Sequence, residues 1–338
     1  MDAKPGNDIS SRKDEHIELA ERSILKASSI DSRFNYEPLL SAHPVNQENL
    51  STKFLGKDIK APLWISSMTG GSINANRVNK QLAEICSEFG LGMGLGSCRP
   101  LIESTDFFDD FNLRPIIGHE LPLLANIGVA QVEGLISSEN DRKRFFEQLN
   151  TIDVDGIFVH INPLQEFLQP EGDRFSTSPL ETLQKFISIC PFNIFVKEVG
   201  QGFGPRSLEA LSMLDIKGVE LGAYGGTNFS RLELLRSDTR QSLTPLSHVG
   251  HTAEEMVEII NNIEGFRDKE VIISGGIENF LDAHHLLLKL NRSGLYGMAG
   301  KVLRELSKGQ EHLRTFIRNE LSGLNFAKSY LSLKEAKK

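Results

Sequence analysis

The 338-residue sequence predicts an α/β protein built as a closed (β/α)8 TIM barrel with an N-terminal helical extension. Three observations predict it. Eight short, nearly continuous apolar runs recur from residue 61 onward, the pattern of parallel strands buried on both faces. Longer polar–apolar segments of helical character usually separate them. Nearly every run ends in small, polar or charged residues, which gathers chemistry at one end of a barrel. A doubly wound sheet is the competing architecture. It requires a glycine-rich turn opening the first helix, with an acidic residue about 20 positions on. The nearest stretch, 92–96, runs instead into SCRP.

In chain order, residues 1–10 read as a polar start. Residues 11–30 read as a helix with an imperfect apolar stripe (Ile17, Leu19, Ile24, Leu25), capped by Ser10 or Ser11. Residues 31–60 are mixed, with turns at Asn35, Pro38 and Pro44. The division is therefore an extension over 1–60 and a barrel over 61–338. The eight runs are 62–67 (PLWISS), 91–96 (LGMGLG), 121–126 (LPLLAN), 156–161 (GIFVHI), 193–197 (NIFVK), 218–222 (GVELG), 270–274 (EVIIS) and 295–298 (LYGM). Helices are expected at 74–89, 138–149, 180–189, 205–214, 254–263 and 281–290. The polar stretch 229–251 is too long for one strand–helix connection and is expected to be a lid or loop. Residues 306–338 read as a closing helix with a Lys-rich tail.

Composition excludes several function classes. Thirty-seven Lys and Arg against 45 Asp and Glu give a net charge of −8. That argues against nucleic acid or an acidic membrane as partner. An anionic small molecule needs only a local basic cluster. No apolar run approaches the roughly 18 residues of a bilayer span, and the polar N-terminus has no signal-peptide core. Cys86, Cys98 and Cys190 show no metal or redox spacing, so a reducing cytoplasm is the expected compartment.

The chemistry should lie after the strands. Gly225-Gly226, Gly275-Gly276 and Gly300 follow strands six to eight, the customary phosphate site of this fold, and Thr227 adds a hydroxyl. Tight turns are the plainer explanation of these glycines. Lys197 ends an apolar strand, so it is paired, has a lowered pKa or faces a ligand anion, unless it simply reaches solvent. His160, Asn162, Gln165 and Glu166 crowd the end of strand four. A carboxylate beside a carboxamide suits Mg²⁺, although a solvated loop glutamate has the same appearance. Arg12, Lys13 and His16 share a helix region that, read alone, is a solvated face. Arg99 can fork onto phosphate oxygens. Cys98 beside it has the setting of a low-pKa thiol, with no base identifiable by spacing. His248 and His251 lack a carboxylate pattern and read as structural.

Ten strings, in order, resemble the FMN-dependent type 2 isopentenyl-diphosphate isomerases. They are RKDEHI (12–17), SMTGG (67–71), LGSCR (95–99), ANIG (125–128), HINPLQE (160–166), QPEGD (169–173), VKEVG (196–200), GGTN (225–228), SGGI (274–277) and GMA (297–299). The resemblance implies a (β/α)8 barrel with FMN over its mouth. Ser67, Met68 and Thr69 would line the isoalloxazine, with Gly70-Gly71 opening the loop beneath it. Ser97, Asn126 and Lys197 would contact the ring or ribityl chain. Thr227, Gly275, Gly276, Ala299 and Gly300 would hold the phosphate. Arg12, Lys13, His16, Ser97 and Arg99 would bind the substrate diphosphate. Gln165, with His160 and Asn162, would form the catalytic group around the isoprenoid, and Glu166 would hold Mg²⁺. The resemblance also implies NADPH or NADH as flavin reductant, and a homo-oligomer (tetramer or octamer). Three departures stand out: Cys98 where many members carry Gln, Tyr224 in a turn where smaller or acidic residues are common, and the unmatched stretch 229–251. The competing function classes are an FMN oxidoreductase acting on a hydroxy acid, and a non-catalytic flavin or phosphate binder.

Overall fold

The computed structural model describes residues 9–44, 50–67 and 73–334. Three short strands precede the barrel: β1 (Phe34–Tyr36), β2 (Thr52–Phe54) and β3 (Lys57–Ile59). The barrel itself is β4 (Leu63–Ile65), β5 (Gly92–Gly94), β6 (Leu123–Gly128), β7 (Gly156–Ile161), β8 (Ile194–Glu198), β9 (Gly218–Glu220), β10 (Glu270–Ser274) and β11 (Leu295–Met298). A last strand, β12 (Leu331–Leu333), ends the described chain. Strands β4 to β11 pair in sequence, and β11 returns to β4, so the sheet closes. These are the eight predicted runs, in order.

Side-chain alternation gives the barrel its two faces. Leu63, Ile65, Val159 and Val196 point outward into the core shared with the helices. Trp64, Leu124, Phe158, Phe195, Ile272 and Leu295 point inward and fill the lumen. The β2–β3 hairpin closes the N-terminal end. Its Phe54 ring lies 5.2 Å from Trp64 and 5.5 Å from Phe195, and the Leu55 N–H donates to Glu270 at the start of β10. With the lower end filled largely by aromatics, the cavity opens at the C-terminal end. Two residues on from the aromatic layer, the inward positions become Ser66, Asn126, His160, Lys197 and Ser274.

The six expected helices form, at Ile73–Phe89, Glu139–Ile152, Pro179–Ile187, Pro205–Ser212, Ala253–Asn261 and Phe280–Lys289. Capping explains several starts. Ser178, Thr252 and Asn279 each form a reciprocal capping box with the residue three positions on.

Elsewhere the structure differs from expectation. The N-terminal helix spans only Ile9–Leu19, so Ser10 and Ser11 lie inside it rather than capping it, and two 3₁₀ turns follow. Every residue from Arg12 to Ile30 is exposed, so the apolar stripe buries little that would extend the helix. The stretch 229–251 is not an unstructured lid. It folds as a helix, Phe229–Leu235, and a 3₁₀ segment, Gln241–His248. Asn228 organises both: its Oδ1 accepts from the Arg231 N–H at 2.8 Å, and its Nδ2 donates to the Ser247 carbonyl at 3.0 Å. The closing segment is two helices, Gly300–Ser307 and Gln310–Tyr330, and then β12, which pairs antiparallel with β1. Residues 1–8 of the expected polar start over 1–10, and the end of the Lys-rich tail (335–338), lie outside the described residues, while Ile9 and Ser10 already belong to the helix. Among the described residues no helix is long and apolar enough to cross a membrane.

One buried acid in the closing helix makes stability depend on pH. Glu320 is 6 % exposed and its Oε2 has no hydrogen-bond partner among the described residues. Burial lifts its carboxyl to about 7. The folded chain therefore holds this proton more tightly than the unfolded chain, whose glutamates titrate near 4.3. The contribution is fully present below the unfolded value and is lost as pH rises through about 7. Glu320→Gln carries no such loss. Its advantage over wild type in chemical denaturation should grow by about 2 kcal/mol from pH 5 to pH 8. A gap that stays constant across that range would remove this assignment.

Candidate active site

A cavity of about 350 Å³ opens at the C-terminal end of the barrel, walled by the ends of β4 and of β8 to β11 and the loops that follow them. Seven residues of the expected cofactor set line it: Ser67, Lys197, Thr227, Gly275, Gly276, Ala299 and Gly300.

One side is built for an anion. The helix Gly300–Ser307 starts here, and Ala299 at its N-cap offers no side-chain hydrogen bond, so its first-turn N–H groups keep their donor capacity. Lys301 and Arg304 add two cations to the cavity wall. Each lies 3.7 Å from the Glu278 carboxylate, a loose contact that an incoming anion can replace. Gly275 is required rather than convenient. Its φ is +89°, and a Cβ there would overlap the Ala223 backbone. At Gly300 a Cβ would collide with the Thr227 hydroxyl.

The floor is polar and under-satisfied. Lys197 is 8 % exposed, and among the described residues its Nζ donates only to the Glu198 carbonyl, at 3.3 Å. Glu198 points the other way, and its Oε2 accepts four backbone N–H groups, from Val199 to Gly202, at 2.6–2.8 Å. Burial pushes the Glu198 carboxyl up while those four donors pull it back, and the loop after β8 is pinned by them. The hydroxyls of Ser66 and Ser67 are buried without a partner among the described residues. His160 Nδ1 lies 2.8 Å from Asn126 Oδ1 and donates to it. Desolvation, then the Lys197 cation, pulls the ring down to about 3, so His160 is neutral at ordinary pH.

Across the mouth, a chain of polar contacts links strands two, four and six. Asn162, 2 % exposed, donates to Gln165 Oε1 at 3.0 Å and to Glu166 Oε1 at 2.9 Å. Glu166 Oε2 accepts the Asp173 N–H at 2.7 Å, and the Asp173 carboxylate pairs with Arg99 at 3.2 Å. Gln165 Nε2 lies 3.4 Å from Glu233, which is paired with Arg236. Among the described residues no group of three or more His, Cys, Asp or Glu converges to enclose a metal ion. A cation here would have one protein carboxylate and take its other ligands from substrate and water.

The chain matches relatives along nearly this whole architecture. It is 32 % identical over 304 residues to an isopentenyl-diphosphate delta-isomerase of Rickettsia prowazekii, covering 87 % of this chain and 85 % of that one. This chain belongs to the isopentenyl-diphosphate delta-isomerase family. A second member, from Rickettsia typhi, is 31 % identical over the same length. No family model matches the chain. Among solved structures, a flavocytochrome b2 variant with sulfite bound superposes with a TM-score of 0.60 at 16 % identity, over 88 % of this chain and 72 % of that one. At that identity the likeness concerns the fold alone.

The isomerase-family residues expected from sequence are placed unevenly. Ser97 is half-buried and Arg99 exposed after β5, on the network side of the mouth. Asn126 and His160 lie together on the inner wall. Arg12, Lys13 and His16 are exposed on the N-terminal helix and do not line the cavity. Met68, Thr69 and Gly70-Gly71 lie outside the described residues. Cys98 is not a low-pKa thiol: it is fully buried, which raises it to about 12. Tyr224 packs on the 3₁₀ segment, its hydroxyl 3.4 Å from His248 Nδ1.

Three residues escaped the sequence reading. Arg304 sits one helical turn after Gly300, a spacing that could have marked it. Glu233 stands inside the stretch read as a loop, yet is 2 % exposed. Glu220 lies within an apolar run, and its inward position follows only from the register Lys197↔Glu220.

Proposed function

We propose that this chain interconverts isopentenyl diphosphate and dimethylallyl diphosphate by a 1,3-proton shift, with reduced FMN and Mg²⁺. The observation that carries this reading is one mouth holding both an anion cradle and, opposite it, the Arg99–Asp173–Glu166–Asn162–Gln165 network, in a member of this family. The residues present fit FMN. The cradle at Gly275, Gly300 and Thr227 suits its phosphate, and the unpartnered Ser66 and Ser67 hydroxyls and Lys197 suit the polar parts of a flavin.

An isolated alkene is a poor base, so moving its double bond needs a dry pocket and an electron-rich face beside the carbon that gains positive character. When bound, the reduced flavin supplies that face and an exchangeable proton. The chain's own residues position. Lys197, in the cavity floor, would supply a cation to the negative charge of a reduced flavin. Neutral His160, fixed by Asn126, fills the wall without adding a second cation. Asn162 orients Gln165 toward the isoprenoid side and holds Glu166, which would be the protein carboxylate for Mg²⁺ and would let the cation neutralise diphosphate charge. Arg99 exchanges Asp173 for diphosphate oxygens, and the exposed Arg12, Lys13 and His16 close over the same group. NADPH or NADH would reduce the flavin once, and a homo-oligomer in the cytoplasm would be the working form.

The test is direct. FMN-loaded protein, reduced and supplied with Mg²⁺ and isopentenyl diphosphate in D₂O, should yield dimethylallyl diphosphate with deuterium on the chain. Substrate recovered unchanged and unlabelled, with the flavin bound and reduced, would overturn the reading.

A further inference from the structure

Lys197 and Glu220 are partners in the β8–β9 register, so both side chains face the lumen on neighbouring strands. They are 8 % and 1 % exposed. Among the described residues they form no ion pair: Lys197 Nζ donates instead to the Glu198 carbonyl. Glu220 Oε2 has no hydrogen-bond partner among the described residues, and both residues line the cavity. Beneath them lie Phe195 and Ile272, which offer nothing polar. The other acids nearby are directed elsewhere: Glu198 faces its own loop, Glu278 in the cavity wall is paired loosely with Lys301 and Arg304, and Glu270 sits at the opposite end of the barrel. On the far side of Lys197, His160 is neutral. Two opposite charges buried side by side with spare hydrogen-bonding capacity are costly unless a ligand completes them.

We propose that Glu220 is a positioning residue that acts through Lys197, partly offsetting its charge beneath bound FMN and so setting how strongly the site favours the reduced flavin. The inference rests on the FMN reading above. Reduction adds negative charge to the ring. Lys197 favours that charge, and Glu220 moderates it by drawing the Lys197 ammonium toward itself, so Glu220's hold on Lys197 sets the reduction potential.

The readout is the potential of the bound flavin, measured by equilibrium dye titration of the loaded protein. Glu220→Gln keeps the shape and removes the charge. It should strengthen binding of reduced over oxidised FMN about tenfold, which for a two-electron couple raises the potential by about 30 mV. Glu220→Asp keeps the charge and should stay near the wild-type value. Lys197→Gln should shift the potential the opposite way, and adding Glu220→Gln to it should change little, because Glu220 acts through Lys197. Where Glu220→Gln fails to fold, Glu220→Ser removes the same charge and should raise the potential likewise. A flavin-loaded Glu220→Gln at the wild-type potential would overturn the inference, as would an equal shift in Glu220→Asp. Wild-type protein that takes up no FMN would overturn the FMN reading together with the inference.

Discussion

Gly275→Ala is expected to leave the protein folded but unable to retain FMN through purification. The glycine has φ +89°, where an L-residue costs about 1–2 kcal/mol. A Cβ there also overlaps Ala223 backbone atoms, and these cannot retreat freely because the Ala223 N–H is bonded to the Ser274 carbonyl at 2.7 Å. The loop must therefore open between β9 and β10, at the point where the phosphate would sit. With roughly 3–4 kcal/mol displaced onto the cradle, FMN affinity should fall about 100- to 1,000-fold. The barrel itself should survive, because the change lies beyond the strand ends. Flavin-fluorescence titration measures the loss, and far-UV circular dichroism checks the fold. An unchanged affinity would show that the anion side of the cavity is not where FMN is held.

Glu166→Gln should separate metal from flavin. In the wild type both carboxylate oxygens are already oriented, one by Asn162 and the other by the Asp173 N–H. The amide keeps one acceptor but turns an NH₂ group toward one of these two donors, and it removes the negative charge that a hard cation requires. Turnover at fixed Mg²⁺ should drop about 100-fold, and the Mg²⁺ concentration for half-maximal rate should rise. FMN affinity should stay within about twofold, because Glu166 does not line the flavin-side cavity. Turnover that is unaffected would remove the metal role of this residue.

The barrel was legible because its signal is cumulative. Eight buried strands each leave an apolar run, and the caps at Ser178, Thr252 and Asn279 punctuate the helices between them. The segment 229–251 hid its structure because its polar residues serve internal hydrogen bonds instead of forming an amphipathic stripe. Gln241, for example, spends its side-chain amide on the carbonyls of Leu234 and Ser237. The β1–β12 pair was illegible for another reason: three-residue strands almost 300 positions apart leave no periodicity to read. At the site, the glycines and Lys197 announced themselves, since each breaks a local rule at a strand end. Glu220 did not, because a glutamate in a short strand reads as surface until the closed register turns it inward. Arg12, Lys13 and His16 show the converse. Their motif is specific as sequence, while in the isolated chain they stand exposed.

The central claim is that a flavin barrel here performs an isomerisation with no net redox change. The most direct measurement counts NADPH consumed per molecule of dimethylallyl diphosphate formed, under anaerobic conditions with FMN and Mg²⁺. Many product molecules for each flavin reduced is the expected result. One reductant consumed for every product molecule would contradict the claim and place the chain among the flavin oxidoreductases.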